Sequence, residues 1–140
     1  MMIERIVCPV DFSEVSGRAA AYASKLAAEV GASLTFVSVL DVGDLRVAMN
    51  AGLHGFENDE ELRREIREWI DEQYAKVDPG NTGTRDIRRG IPEHEIVEAI
   101  REHKADLVVM GAVGIARRIP MGSRAEYVLR NSNVPLLLIR

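Results

Sequence analysis

Residues 105–114 read ADLVVMGAVG, and they carry the clearest indication of the fold. Its first six residues are apolar apart from Asp106, and an apolar run without polar alternation predicts a strand buried on both faces of a sheet. Two glycines, Gly111 and Gly114, follow this run closely. The stretch therefore predicts a buried strand that ends in a glycine-containing loop.

Similar runs occur elsewhere in the chain and alternate with helical patterns. The predicted strands cover residues 3–9, 33–40, 84–89, 105–110 and 134–140, and the predicted helices cover residues 13–30, 59–76, 92–103 and 122–131. This alternation predicts an α/β protein with a parallel sheet and helices on both faces. The 140 residues fit one domain, residues 1–140, in which residues 41–58 form a long loop.

Local signals indicate where the helices begin and how they face the sheet. Ser13 is a predicted N-cap for the first helix, and Gly31 is a predicted stop. Pro92 suits the first turn of the third helix. Apolar residues at three- and four-residue spacing predict one buried face on the second helix: Leu62, Ile66, Trp69, Ile70 and Tyr74.

Composition and charge argue against several classes of function. The net charge of −4 argues against a nucleic-acid partner, because binding to a phosphate backbone requires a basic face. Cys8 is the only cysteine, which excludes an intramolecular disulfide, and its apolar surroundings predict a small core residue. No segment approaches the roughly 18 apolar residues of a membrane-spanning helix, and the N-terminus lacks a signal-peptide pattern. We therefore expect a cytoplasmic protein with no membrane partner.

The predicted ligand site lies beyond the carboxyl ends of the first and fourth strands. Ligands of open parallel sheets bind at this edge, where the strand order reverses. Gly111 and Gly114 follow the fourth strand, and Gly122 and Ser123 begin the last helix, whose first N–H groups can bind an anion. Taken alone, this pattern leaves two alternatives open, which are phosphate binding and simple turn formation.

Charged residues near the glycines also leave alternatives open. Asp11 follows the first strand, where its carboxylate can accept hydrogen bonds from ribose hydroxyls or help Ser13 to cap the first helix. Without a partner motif, the capping role is favoured. Arg117 and Arg118 lie between Gly114 and Gly122, where they are either phosphate ligands or solvent-exposed charges beside a turn.

Five segments together resemble the universal stress protein family, in the family's order and at about its spacing. They are IVCPVDFSE (6–14), VSVLD (37–41), GIPEHEIVEAI (90–100), ADLVVMGAVG (105–114) and GSRAEYVLRNSNVPLLLIR (122–140). The resemblance covers the chain except residues 41–80, where members of the family vary. It implies a five-stranded parallel sheet of strand order 3-2-1-4-5 with helices on both faces, which is a Rossmann-like, adenine nucleotide alpha hydrolase-like fold.

The resemblance also implies a site for ATP, or for AMP or ADP, with Mg²⁺ as a companion of the phosphates. Family members that bind ATP carry G-x2-G-x9-G-[S/T], whereas seven residues separate Gly114 from Gly122 here. If they are phosphate ligands rather than solvent-exposed charges, Arg117 and Arg118 would compensate for this shorter loop. By resemblance, Asp11 would meet the ribose or the adenine. The other implied site residues are Pro9, Val10, Val39, Gly111, Gly114, Gly122 and Ser123. Met110 is a further candidate because it lies at the end of the fourth strand.

Three functions follow from these patterns. The first is an adenine-nucleotide-binding stress-response regulator that acts by occupancy rather than turnover. The second is an interaction module that binds no nucleotide and meets an unidentified protein partner. The third, an enzyme, is disfavoured beyond a weak ATPase, because no residue stands out as a base and His54, His94 and His103 lack metal-ligand spacing.

The last apolar run, VPLLLI, begins at Val134 and ends at Ile139. A bare apolar strand at the edge of a sheet invites pairing with another chain. Members of the family often pair this strand across a dimer axis, so the resemblance implies a homodimer. A monomer that covers the edge with its own loop is the alternative.

Overall fold

The computed structural model describes residues 2–41, 60–113 and 121–140. Five strands form one sheet: β1 (Arg5–Pro9), β2 (Ser33–Asp41), β3 (Thr84–Gly90), β4 (Leu107–Gly111) and β5 (Leu136–Ile139). All four strand pairings are parallel, and the strand order is β3-β2-β1-β4-β5. The predicted sheet and its order are confirmed, and β1 lies at its centre between β2 and β4.

Four helices connect the strands within the described residues: α1 (Glu14–Val30), α2 (Glu60–Val77), α3 (Pro92–Glu102) and α4 (Ser123–Asn131). The predicted long loop at 41–58 lies outside the described residues except for the last residue of β2. None of the helices in the described ranges is long and apolar enough to cross a membrane.

Both ends of α1 follow from the local sequence. The Ser13 side chain accepts a hydrogen bond from the Ser16 N–H at 3.2 Å, which satisfies one of the free donors of the first turn. Gly31 ends the helix with a φ of 73°, a left-handed conformation that glycine adopts without steric cost. The predicted cap and the predicted stop are both confirmed.

Two apolar clusters lie on opposite faces of the sheet, because successive strand residues point to opposite sides. Ile6 and Cys8 of β1 face α1 and α2, whereas Val7 faces α3 and α4. On the first face, three alanines of α1 have no exposed surface: Ala19, Ala20 and Ala23. Small side chains let α1 lie close to the sheet. Cys8 has no exposed surface, and burial raises the pKa of its thiol far above the usual range.

The buried face predicted for α2 is only partly correct. Ile70 and Tyr74 are buried and Ile66 is half-buried, but Trp69 is 47% exposed. Trp69 lies at the border of the apolar stripe, where its ring packs edge-on against Phe12 with the centroids 5.5 Å apart. The side chain of Leu62 lies outside the described residues.

Candidate functional site

A cavity of about 310 Å³ lies at the carboxyl ends of β1 and β4. The chain runs outward from β1 to β3 on one side and from β4 to β5 on the other, so the strand order reverses at this point. Parallel sheets bind ligands at such reversals. Eight residues that the sequence predicted for the site line this cavity: Pro9, Val10, Asp11, Val39, Met110, Gly111, Gly122 and Ser123. The other three, Gly114, Arg117 and Arg118, lie outside the described residues.

The cavity has an apolar part, formed by side chains from β1, β2, β4 and α3. Val10, Val37 and Met110 are each at most 5% exposed, and Ile96 of α3 is equally well buried. Aliphatic walls of this kind suit a flat, weakly polar ring system. Pro92 and Ile96 were not predicted as lining residues, because α3 reaches the site only through the crossover between β3 and β4. Val37 of β2 was not predicted either.

Asp11 serves the turn between β1 and α1 and also lines the cavity. Its Oδ1 accepts a hydrogen bond from the Ser13 N–H at 2.9 Å, which is the local role that the sequence favoured. Its Oδ2 lies 3.8 Å from Nη1 of Arg124, a residue of α4. One oxygen therefore fixes the turn, and the other faces the opposite wall of the cavity.

Phe12 determines how Asp11 is presented. Its φ of 64° lies in the left-handed region, which non-glycine residues rarely adopt. The ring packs edge-on against Trp69 and Tyr74 of α2, with centroids 5.5 Å and 5.4 Å away. These aromatic contacts help to hold a strained turn in place. No sequence pattern indicated this conformation.

Gly111 ends β4 where α1 packs closely against the sheet. A Cβ at this position would lie 2.8 Å from Cγ1 of Val15 and 3.3 Å from the carbonyl oxygen of Val113. The absence of a side chain is thus required by helix packing. This role is a third alternative to the phosphate-binding and turn roles that the sequence suggested.

Gly122 connects the start of α4 to the end of β4. Its N–H donates to the carbonyl oxygen of Ala112 at 2.6 Å, so this amide already has a partner. As the N-cap of α4, Gly122 has no side chain to accept hydrogen bonds from the first turn. The positive end of the helix therefore lacks a side-chain cap from within the helix, which is a favourable arrangement for an anionic ligand.

Two histidines of the described part of the chain, His94 and His103, contact other side chains. In residues 2–41, 60–113 and 121–140, no group of three or more His, Cys, Asp or Glu side chains is arranged to hold a metal ion. The ring of His94 packs against Tyr127, and Nε2 of His103 lies 2.6 Å from a carboxylate oxygen of Asp86. His54 lies outside the described residues.

Comparison with known proteins identifies the family. The sequence model of the universal stress protein family matches residues 2–140. The chain belongs to the universal stress protein family. Universal stress protein MJ0531 of Methanocaldococcus jannaschii is 31% identical, over 99% of this chain and 83% of the relative. The resemblance that the sequence segments indicated is thereby confirmed.

Solved structures of the family share the fold. The universal stress protein UspA from Lactobacillus plantarum matches with a TM-score of 0.76 and 24% identity, covering 100% of this chain and 99% of that chain. The universal stress protein from Archaeoglobus fulgidus in complex with dAMP matches with a TM-score of 0.63 and 21% identity, covering 100% of both chains. At these identities, the likeness establishes the fold of this universal stress protein.

Proposed function

We propose that this universal stress protein binds an adenine nucleotide in the cavity at the ends of β1 and β4. The observation that carries the proposal is the division of one cavity into an aliphatic part and a polar part. Val10, Val39 and Met110 would hold the adenine, and Asp11 would accept hydrogen bonds from the ribose. The phosphate would lie near Ser123 and the first turn of α4.

The size of the cavity fits this class of ligand. Its volume of about 310 Å³ lies at the lower end of the roughly 300–1,000 Å³ that small-molecule sites occupy. A universal stress protein of the same fold has been solved in complex with dAMP, an adenine nucleotide with one phosphate. Both observations favour AMP-sized ligands as the first to be tested, with ADP, ATP and Mg²⁺ as additional conditions.

The protein would act in the cytoplasm as a stress-response regulator through nucleotide occupancy. Occupancy requires binding without rapid hydrolysis, and an enzymatic role would require a base beside the phosphates. Among the described residues lining the cavity, Asp11 is the single carboxylate. One of its oxygens already accepts the Ser13 N–H, and the other lies within 4 Å of Arg124. We therefore propose at most slow ATP hydrolysis.

The direct test is the nucleotide content of the freshly purified full chain. Heat extraction followed by mass spectrometry is expected to recover an adenine nucleotide. Calorimetry on stripped protein is expected to give saturable binding of AMP, ADP or ATP, and no comparable binding of GMP. If no adenine nucleotide is recovered and none produces heat with or without Mg²⁺, the proposal is wrong. A protein-interaction module would then be the better hypothesis.

We also propose that two copies associate through the segment Val134–Ile139, which contains β5. β5 forms one edge of the described sheet, and its four apolar residues are half-buried in the single chain. Pairing across this edge would satisfy free backbone groups and cover apolar side chains. Light scattering after size exclusion is expected to give twice the chain mass of 15.5 kDa. A mass of one chain at micromolar concentration would exclude the dimer.

A further inference from the structure

Arg124 and Asp11 face one another across the candidate nucleotide site. Arg124 is the second residue of α4, Asp11 follows β1, and both line the cavity. Their Nη1 and Oδ2 atoms are 3.8 Å apart, within the range of an ion pair but too long for a hydrogen bond. The two opposite charges therefore attract one another without a direct hydrogen bond between these two atoms.

These two residues carry all the formal charge on the described part of the cavity wall. The remaining described residues of the wall are aliphatic, Gly, Pro or Ser. A phosphate group entering the cavity would therefore meet one full positive charge in this part of the wall, which is the guanidinium of Arg124. It would also meet one full negative charge, that of Asp11. The nearby charge of Arg124 offsets the repulsion between Asp11 and the phosphate.

The position of Arg124 within α4 is unusual for a cation. The N-terminal end of a helix carries a partial positive charge, which disfavours Arg and Lys in the first turn by a few tenths to about 1 kcal/mol. The other charges of α4 follow the favourable pattern, with Glu126 in the first turn and Arg130 in the last. Arg124 is the exception, and it is the residue that faces the cavity. Such local departures from favourable placement are expected at functional positions.

From this geometry we infer that Arg124 makes the site selective for phosphorylated ligands over nucleosides. This inference rests on the proposed nucleotide site. When a nucleotide binds, the guanidinium exchanges Asp11 for the phosphate, to which it can form charge-assisted and bidentate hydrogen bonds. The exchange releases Oδ2 of Asp11 for a ribose hydroxyl. A nucleoside offers a ribose hydroxyl to Asp11 but no anion to the guanidinium of Arg124, so adenosine binds more weakly than AMP.

The test compares adenosine, AMP and ADP by calorimetry on the wild-type chain and on Arg124→Gln. An Arg–phosphate interaction of the usual strength predicts that Arg124→Gln weakens AMP binding about ten- to hundredfold. Adenosine binding should change less than threefold or become slightly tighter, because Asp11 is then unpaired. Arg124→Lys keeps the charge but not the planar fork, and it should recover part of the preference for AMP.

Arg130→Gln is the matched control, since Arg130 lies on the same helix but pairs with Glu126 at the surface at 2.8 Å. It should leave the affinities for all three ligands unchanged. Unfolding in urea monitors the integrity of each variant. Equal loss of adenosine and AMP affinity in Arg124→Gln, or no loss of either, would overturn the role of Arg124 while leaving nucleotide binding itself intact. If the wild-type chain binds none of the three ligands, the proposed function and this inference both fail.

Discussion

Gly111→Ala tests the packing between the cavity wall and α1, because Gly111 lies closely against Val15. The new Cβ would lie 2.8 Å from Cγ1 of Val15, whereas carbon atoms in contact are normally about 3.5–4.0 Å apart. Val15 is 2% exposed, so we expect its side chain to have little room to rotate away from the new methyl group. Either α1 or the end of β4 must therefore move.

The size of the effect follows from this overlap. Adding a methyl group to a well-packed interior costs about 1–3 kcal/mol. For a domain of this size, such a loss lowers the melting temperature by roughly 3–10 °C. Val15→Ala alone removes two buried methyl groups and costs about 2 kcal/mol. In the double variant the clashing Cγ1 is absent, so its total cost should be close to that of Val15→Ala alone. The expected coupling energy is therefore about 1–3 kcal/mol.

Wild type, Gly111→Ala, Val15→Ala and the double variant form a double-mutant cycle. Urea unfolding followed by circular dichroism measures the stability of each of these four proteins, and calorimetry measures their AMP binding. Gly111→Ala should weaken AMP binding through displacement of the strand end, and the double variant should recover much of it. Gly17→Ala is the control within α1, because no atom lies within 4 Å of its added Cβ. It should stabilise the chain by about 0.5–1 kcal/mol. Energies of Gly111→Ala and Val15→Ala that add within about 0.5 kcal/mol would refute the packing argument.

Three further predictions concern single residues. Burial raises the pKa of Asp78, but hydrogen bonds from Gly83 and Thr82 outweigh this and lower it overall. Asp78→Asn should therefore cost about 1–3 kcal/mol above pH 4, and the difference from wild type should shrink as the pH falls through the lowered pKa in urea titrations. Gly122→Ala should retain the melting temperature, since its φ of −68° suits any residue, but weaken AMP binding in calorimetry. The Cys8 thiol should react with Ellman's reagent only as fast as the chain unfolds, measured by absorbance; rapid reaction of the native protein would contradict its burial.

The fold was predictable because its signals are local and repeated. Apolar runs without alternation indicated strands buried on both faces, and Ser13 and Gly31 marked the ends of α1 with chemistry that does not depend on the rest of the chain. The exposure of Trp69 is a feature that such local signals did not predict. Its spacing on α2 placed it on the apolar face, but periodicity does not locate the border of that face. Its ring packs against Phe12, whose left-handed conformation no sequence pattern indicated.

The site was predictable where it is built from strand ends and less so where helices contribute. Asp11 follows β1, Met110 lies near the end of β4, and these two strands are neighbours in the sheet. The topology alone therefore brings the two residues together. Pro92 and Ile96 reach the cavity because α3 packs across the sheet, which depends on tertiary packing. Arg124 had a usable signal, since it directly follows Ser123 at the start of the last helix. Its pairing with Asp11 depends on the distance between two elements that are far apart in sequence.

The glycines of the site do not carry equal evidence for a ligand. Gly111 is explained by Val15, and it would be needed even if the cavity never bound a nucleotide. Gly122 adopts an ordinary φ, so its backbone conformation does not require glycine. A ligand that approaches its backbone closely would explain why the residue is glycine. Arg124 is stronger evidence still, because the helix dipole disfavours a cation at its position. A glycine pattern can therefore persist in a member of the family that has lost its ligand, whereas Arg124 places a positive charge on the cavity wall that is complementary to an anion.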